Sequence, residues 1–115
     1  MNIVFRVDSS IKIGSGHLMR CLVLADELRD RGAVVAFICR DHPGNMNSLI
    51  EFNSHPVIEL DQQQSSVLSG KTYADWLGCD QSVDATQVIN AIAEENVDWI
   101  IVDHYGLDKT WESKL

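Results

Sequence analysis

Four short apolar runs, separated by helical spacing and turn chemistry, constrain this chain more than any other feature. They are NIVFRV at 2–7, AVVAFIC at 33–39, PVIEL at 56–60 and VDWIIV at 97–102. Each has strand length and is nearly continuous in apolar residues rather than alternating, which is the pattern of strands covered on both faces. Between the first two runs, Leu18, Cys21, Leu22, Ala25 and Leu28 fall on one face of a helix. Asp26, Glu27, Arg29 and Asp30 fall on the other side, and Gly32 suits a C-terminal cap. A second amphipathic helix is expected with Asp84 as its N-cap and Ala85, Val88, Ile89, Ile92 and Ala93 along its stripe. Shorter helical segments are expected at 46–53 and from 108 onward, a turn at 41–45, and a long polar loop over 61–83. Strand–helix alternation of this kind implies an α/β parallel sheet with helices on both faces. Right-handed crossovers favour strand order 3-2-1-4, with a crevice beyond the C-terminal ends of strands 1 and 4. The loops 8–17 and 103–107 meet at that crevice. The pattern breaks off inside a helix, as it would in a piece of a longer protein.

Composition enters mainly by exclusion. A chain of 115 residues with 45% hydrophobic and 23% charged residues is an ordinary globular domain. No run reaches the ~18–20 apolar residues of a membrane span, and the start MNIVFRVD lacks the features of a signal peptide. Cys21, Cys39 and Cys79 show no CxxC spacing, so neither a disulfide framework nor a thiolate zinc site is suggested. A reduced, cytoplasmic protein is the expectation. The net charge is −8, a poor basis for binding long nucleic acid. The charge is uneven: residues 1–40 hold six basic groups against four acidic ones, and residues 41–115 hold three against thirteen. The basic end can still receive one small anionic ligand. Arg29 and Arg31 read as solvated groups at a helix end.

The chemistry concentrates in Asp8-Ser9-Ser10-Ile11-Lys12-Ile13-Gly14-Ser15-Gly16-His17, which joins the first strand to the first helix. Gly14 and Gly16 allow a sharp turn and close approach of a ligand. The helix start aims backbone N–H groups and the positive dipole end at the crevice, favouring a phosphate or a developing negative charge. The dinucleotide fingerprint GxGxxG fails because Met19 stands where the third glycine belongs, and the Gly-Lys-Ser/Thr of a phosphate-binding P-loop is absent. His17 at the helix start has two readings: a neutral imidazole poised as general base, or a substitute N-cap. Asp8 is the local carboxylate that can fix its tautomer, or else a loop cap. Asp8, His17, Asp103 and His104 can approach one crevice, but their spacing carries too little to assign a metal. His42 and His55 lie by prolines and read as surface residues. Cys21 and Cys39 are expected to pack, and Cys79 lacks a base at informative spacing. Trp99 reads as core. Trp76 is either core or sugar-stacking, with core preferred.

Three longer patterns resemble one enzyme family. They are Arg6-x-Asp8-x-Ser10-x-x-Ile13-Gly14-x-Gly16-His17-x-x-Arg20-Cys21-Leu22-x-Leu24-Ala25-x-x-Leu28, then Asp75-Trp76-Leu77-Gly78-x-Asp80-Gln81-x-x-Asp84-Ala85, then Val102-Asp103-x-Tyr105-x-Leu107-Asp108-x-x-Trp111-Glu112. Together they resemble the N-terminal part of the UDP-2,4-diacetamido-2,4,6-trideoxy-β-L-altropyranose hydrolases of pseudaminic acid biosynthesis. That family is similar in fold to GT-B glycosyltransferases such as MurG. The resemblance implies a two-domain enzyme with its active site between two Rossmann-like halves, residues 1–115 being the N-terminal one. It implies hydrolysis of a UDP-sugar without cofactor or metal, with His17 and Asp8 catalytic and Gly14, Ser15, Gly16, Arg20 and Tyr105 against the substrate. Asp8 would orient His17 or hold the sugar; Tyr105 reads equally as a residue packed on the sheet edge. The partners implied are the UDP-sugar and the protein's own C-terminal domain. Alone, this half is expected to fold, to bind UDP weakly and to hydrolyse nothing. The alternatives are a GT-B glycosyltransferase and a non-catalytic binding domain.

Overall fold

A computed structural model describes residues 1–10, 16–42, 44–61, 81–93, 96–104, 107 and 109–114. The expected order of elements is observed. Strand β1 (Asn2–Val7) leads to helix α1 (Gly16–Asp30), β2 (Val34–Arg40), α2 (Asn47–Phe52), β3 (Val57–Leu60), α3 (Gln81–Ala91), β4 (Trp99–Asp103) and α4 (Lys109–Glu112). The sheet has order β3-β2-β1-β4 and every pair is parallel. In register, Phe5 lies between Phe37 and Ile101, and Val7 pairs with Asp103 at the end of β4.

Alternation along β1 divides the core in two. Ile3, Phe5 and Val7 face α1 and α2 and pack with Leu18, Cys21, Leu22, Ala25, Phe37 and Ile50. Phe5 and Phe37 stack with centroids 4.9 Å apart. On the opposite face, Val4 and Ile38 pack with Ala85 and Val88 of α3 and Trp111 of α4. The period-2 rule places Arg6 and Arg40 on this second face too. Helix α1 ends as expected: Gly32 adopts φ +96°, its N–H bonds the Arg29 carbonyl, and Ala33 N–H bonds that of Leu28. This Schellman arrangement satisfies carbonyls that a helix end leaves unpaired. No helix among the described residues is long and apolar enough to cross a membrane.

Several expectations are corrected. Asp84 is not an N-cap, because α3 begins at Gln81 and Asp84 sits one turn inside, fully buried. His42 and His55 are buried rather than on the surface. His55 lies against Phe37, with ring centroids 5.5 Å apart, and its Nε2 is 2.7 Å from Asp26. Trp99, expected in the core, is 62% exposed, because β4 lies at the edge of the described sheet and Trp99 at its very start. Most of the predicted 61–83 loop, with Trp76 and Cys79, lies outside the described residues.

Candidate active site at the carboxyl ends of the strands

Two polar clusters stand where the strands end. The first joins α1 to β4. His17, in the first turn of α1, places Nδ1 2.5 Å from Asp103 Oδ1. A carboxylate can only accept, so Nδ1 carries the proton of this bond. The other oxygen, Asp103 Oδ2, accepts from Arg20 Nη2 at 3.3 Å and from the Cys21 thiol at 3.7 Å. Arg20 Nη2 also lies 3.1 Å from His17 Nδ1, but a nitrogen already holding its proton cannot accept a second, so Arg20 counts as a donor to Asp103. His17 and Asp103 are mostly shielded, with 11% and 26% of their side chains exposed, whereas Arg20 is 64% exposed. Three residues of one helix, spaced i, i+3 and i+4, thus converge on a single carboxylate from the far end of the sequence.

The second cluster is deeper. Asp8, Arg6, Arg40 and Asp84 have fully buried side chains. Arg6 forks onto both aspartates: Nη1 and Nη2 reach Asp8 at 2.6 and 3.1 Å, and Nε and Nη2 reach Asp84 at 3.1 and 2.6 Å. Arg40 Nη2 donates to Asp84 at 2.6 Å, the Trp111 indole N–H donates to Asp84 at 2.8 Å, and the Arg40 backbone N–H donates to Asp8 at 2.7 Å. Burial, the largest single influence, would raise the carboxyl pKa values, but the surrounding cations and hydrogen-bond donors, Arg6 foremost, together outweigh it for both. Asp8 is held well below the usual carboxylate range, with His104 and His42 contributing, and Asp84 is lowered, with Arg40 contributing. Burial likewise opposes the charge on Arg6, and the two aspartates override it and raise its pKa. Two positive and two negative groups balance.

Asp8 is therefore not the partner of His17. The carboxylate at His17 is Asp103, and Asp8 Oδ2 instead accepts from His104 Nε2 at 2.8 Å and His42 Nε2 at 3.1 Å. The four residues considered as one metal crevice separate into two pairs, His17–Asp103 and His104–Asp8. Asp8, His42 and His104 do bring one potential ligand atom each within 4.8 Å of one another. Both imidazoles share one oxygen with Arg6 Nη2, however, and a divalent cation would face that guanidinium inside an already neutral cluster. The set reads as donors to Asp8.

Of the other expected substrate contacts, Gly14, Ser15 and Tyr105 lie outside the described residues. Gly16 opens α1, and the nearest described atom to a β-carbon placed there is Arg20 Nη1 at 3.9 Å, an ordinary contact. Cys21 is buried beside Asp103, and burial first, then that carboxylate, push its thiol up to about 12. Cys39 is raised as well, chiefly by burial. In a Cys79→Ser background, neither thiol should react with a disulfide reagent at pH 8 until denaturant is added, since the thiolate is the reactive form. Rapid labelling of the folded protein would contradict the packing described for them.

No protein-family model matches the chain. Over 107 residues it is 36% identical to the UDP-2,4-diacetamido-2,4,6-trideoxy-β-L-altropyranose hydrolase of Campylobacter jejuni, a match taking in 93% of this chain and 29% of that protein. The crystal structure of Acinetobacter baumannii MurG is similar to this chain with a TM-score of 0.63 and 16% identity, over 91% of this chain and 29% of that one. The second likeness shows the fold, a Rossmann-like α/β domain. The first agrees with the resemblance read from the motifs. The chain spans less than a third of the length of either relative.

Proposed function

We propose that the protein to which this chain belongs is a nucleotide-sugar hydrolase, cleaving UDP-2,4-diacetamido-2,4,6-trideoxy-β-L-altropyranose to UDP and the free sugar. The observation that carries the chemistry is the His17–Asp103 pair, in which Asp103 accepts from Nδ1 and orients the ring. The choice of substrate rests on the similarity to the Campylobacter jejuni enzyme. In the reaction, water attacks the anomeric carbon while Nε2 takes its proton. The bond from that carbon to the phosphate oxygen breaks, and its electron pair leaves with UDP. The proton held by His17 is then released to UDP or solvent. A positioned base of this kind is worth about 10²–10⁴ in rate.

Arg20, exposed beside the pair, offers positive charge toward the departing diphosphate. Gly14, Ser15, Gly16 and Tyr105 are assigned to the sugar side, and Asp8 acts from below by holding structure rather than by touching substrate. The uridine contacts belong to a second domain that faces this one, in keeping with the small share of the relative that the chain covers. The reading places the enzyme in nonulosonic acid biosynthesis in the cytoplasm, with no cofactor required.

The fold likeness to MurG supports one other reading, a glycosyltransferase in which an acceptor hydroxyl replaces water. Supplying the UDP-sugar to the full-length protein decides between them. Free 2,4-diacetamido-2,4,6-trideoxy-L-altrose released one-for-one with UDP is the expected result. A new glycosidic bond, formed only when an acceptor is added, would replace the hydrolase with the transferase.

A further inference from the structure

The carboxylate of Asp103 must be held to a few tenths of an ångström to keep His17 in one tautomer. Asp103 is the last residue of β4, and in the described sheet β4 is flanked by β1 alone. Its ladder with β1 ends at the Val7–Asp103 pair. An edge strand whose ladder stops at the functional residue has little of its own to prevent that residue from drifting. The next residue supplies a tie. His104 is buried, and its Nε2 lies 2.8 Å from Asp8 Oδ2. Asp8 is itself fixed from two other directions, by the Arg6 fork and by the Arg40 backbone N–H.

We propose that His104 is a positioning residue: by donating to Asp8 it clamps the end of β4 to β1 and so holds Asp103 against His17. Its catalytic consequence rests on the hydrolase reading above, but the clamp itself does not. The connection runs from the buried charge cluster through Asp8 and His104 to the neighbouring Asp103, and from there to His17. His42 is the internal comparison. It meets the same Asp8 oxygen at 3.1 Å but follows β2, two strands from Asp103.

The experiment reads the ring proton of His17 by long-range ¹H–¹⁵N correlation in the full-length protein, alongside steady-state kinetics. Wild type and His42→Ala should hold the neutral-ring proton on Nδ1. His104→Ala should give a mixture of tautomers, with kcat reduced about tenfold or more and KM nearly unchanged. His104→Gln, whose amide can still donate to Asp8, should restore both. If His104→Ala does not fold, His104→Asn, whose shorter amide falls short of Asp8, takes its place. A proton that stays on Nδ1 in the Ala or Asn variant overturns the proposal whatever the kinetics do, as does an equal kcat loss in His42→Ala. If wild type releases no UDP from the substrate, the hydrolase reading fails, and the ring proton alone decides the clamp.

Discussion

Asp84→Ala should cost the domain about 3–5 kcal/mol, a large part of the roughly 5–15 kcal/mol that holds a domain of this kind folded. The reason is what remains after the carboxylate goes. Arg6 loses two of its bonds and Arg40 and Trp111 lose one each, so two guanidiniums stay buried with one carboxylate between them. Stripping one partner from a buried ion pair is costly because the other charge has already lost its water. Urea denaturation checks the figure; a midpoint shift equivalent to less than about 1 kcal/mol would mean that water reaches the cluster. The same groups set the acid limit of the fold. Asp8 and Asp84 both have lowered carboxyl pKa values in the folded state. Their contribution is complete above the ordinary carboxylate value of about 3.8 and drains away as pH falls through the lowered ones. Wild-type stability should therefore decline steeply below about pH 4, and the decline should be shallower in Asp84→Ala.

Asp103→Asn should lower kcat by about 10²–10⁴ while leaving the fold and KM nearly unaltered. The amide is the same size as the carboxylate, but it can turn its N–H₂ toward His17 Nδ1. That forces the ring proton onto Nε2 and leaves no base facing the water. Stability should change little, because the Asp103 side chain is partly exposed and its ion pair with Arg20 is a surface one. UDP release by the full-length variant is the measurement. Activity within about threefold of wild type would remove Asp103 from the mechanism.

The strands and their order were legible because apolar runs and right-handed crossovers leave few arrangements. The Gly32 cap was legible for the same local reason. His17 was found through its place at a strand–helix junction. Its partner was not, because Asp8 lies nine positions away in the chain while Asp103 lies 86 away, and only the sheet brings the latter alongside. The buried cluster was missed although a signal existed. Arg6 and Asp8 sit two residues apart, where period 2 puts both on the α3 face with Arg40, and a buried charge demands an opposite one. Asp84, in the first turn of the helix packed on that face, answers that demand. Reading it as a cap followed from treating each acidic residue near a helix start as a local device. The error at Trp99 has the opposite origin: its run looked like an inner strand, but it begins on the sheet's border.

The β1–β4 pairing has a consequence for how the site comes into being. His17 and Asp103 are separated by 86 residues and Asp8 and His104 by 96, so neither contact exists until the chain is available as far as β4. Closing a loop of that length precedes any reward from the contacts it makes, and parallel pairings of this reach form late in folding. During synthesis at about 5–20 residues per second, α1 and β2 are available seconds before β4 leaves the ribosome. The nascent domain therefore carries His17 without Asp103, two buried-to-be arginines and an open edge on β1 through that interval. The His17–Asp103 pair forms only when β4 docks on β1.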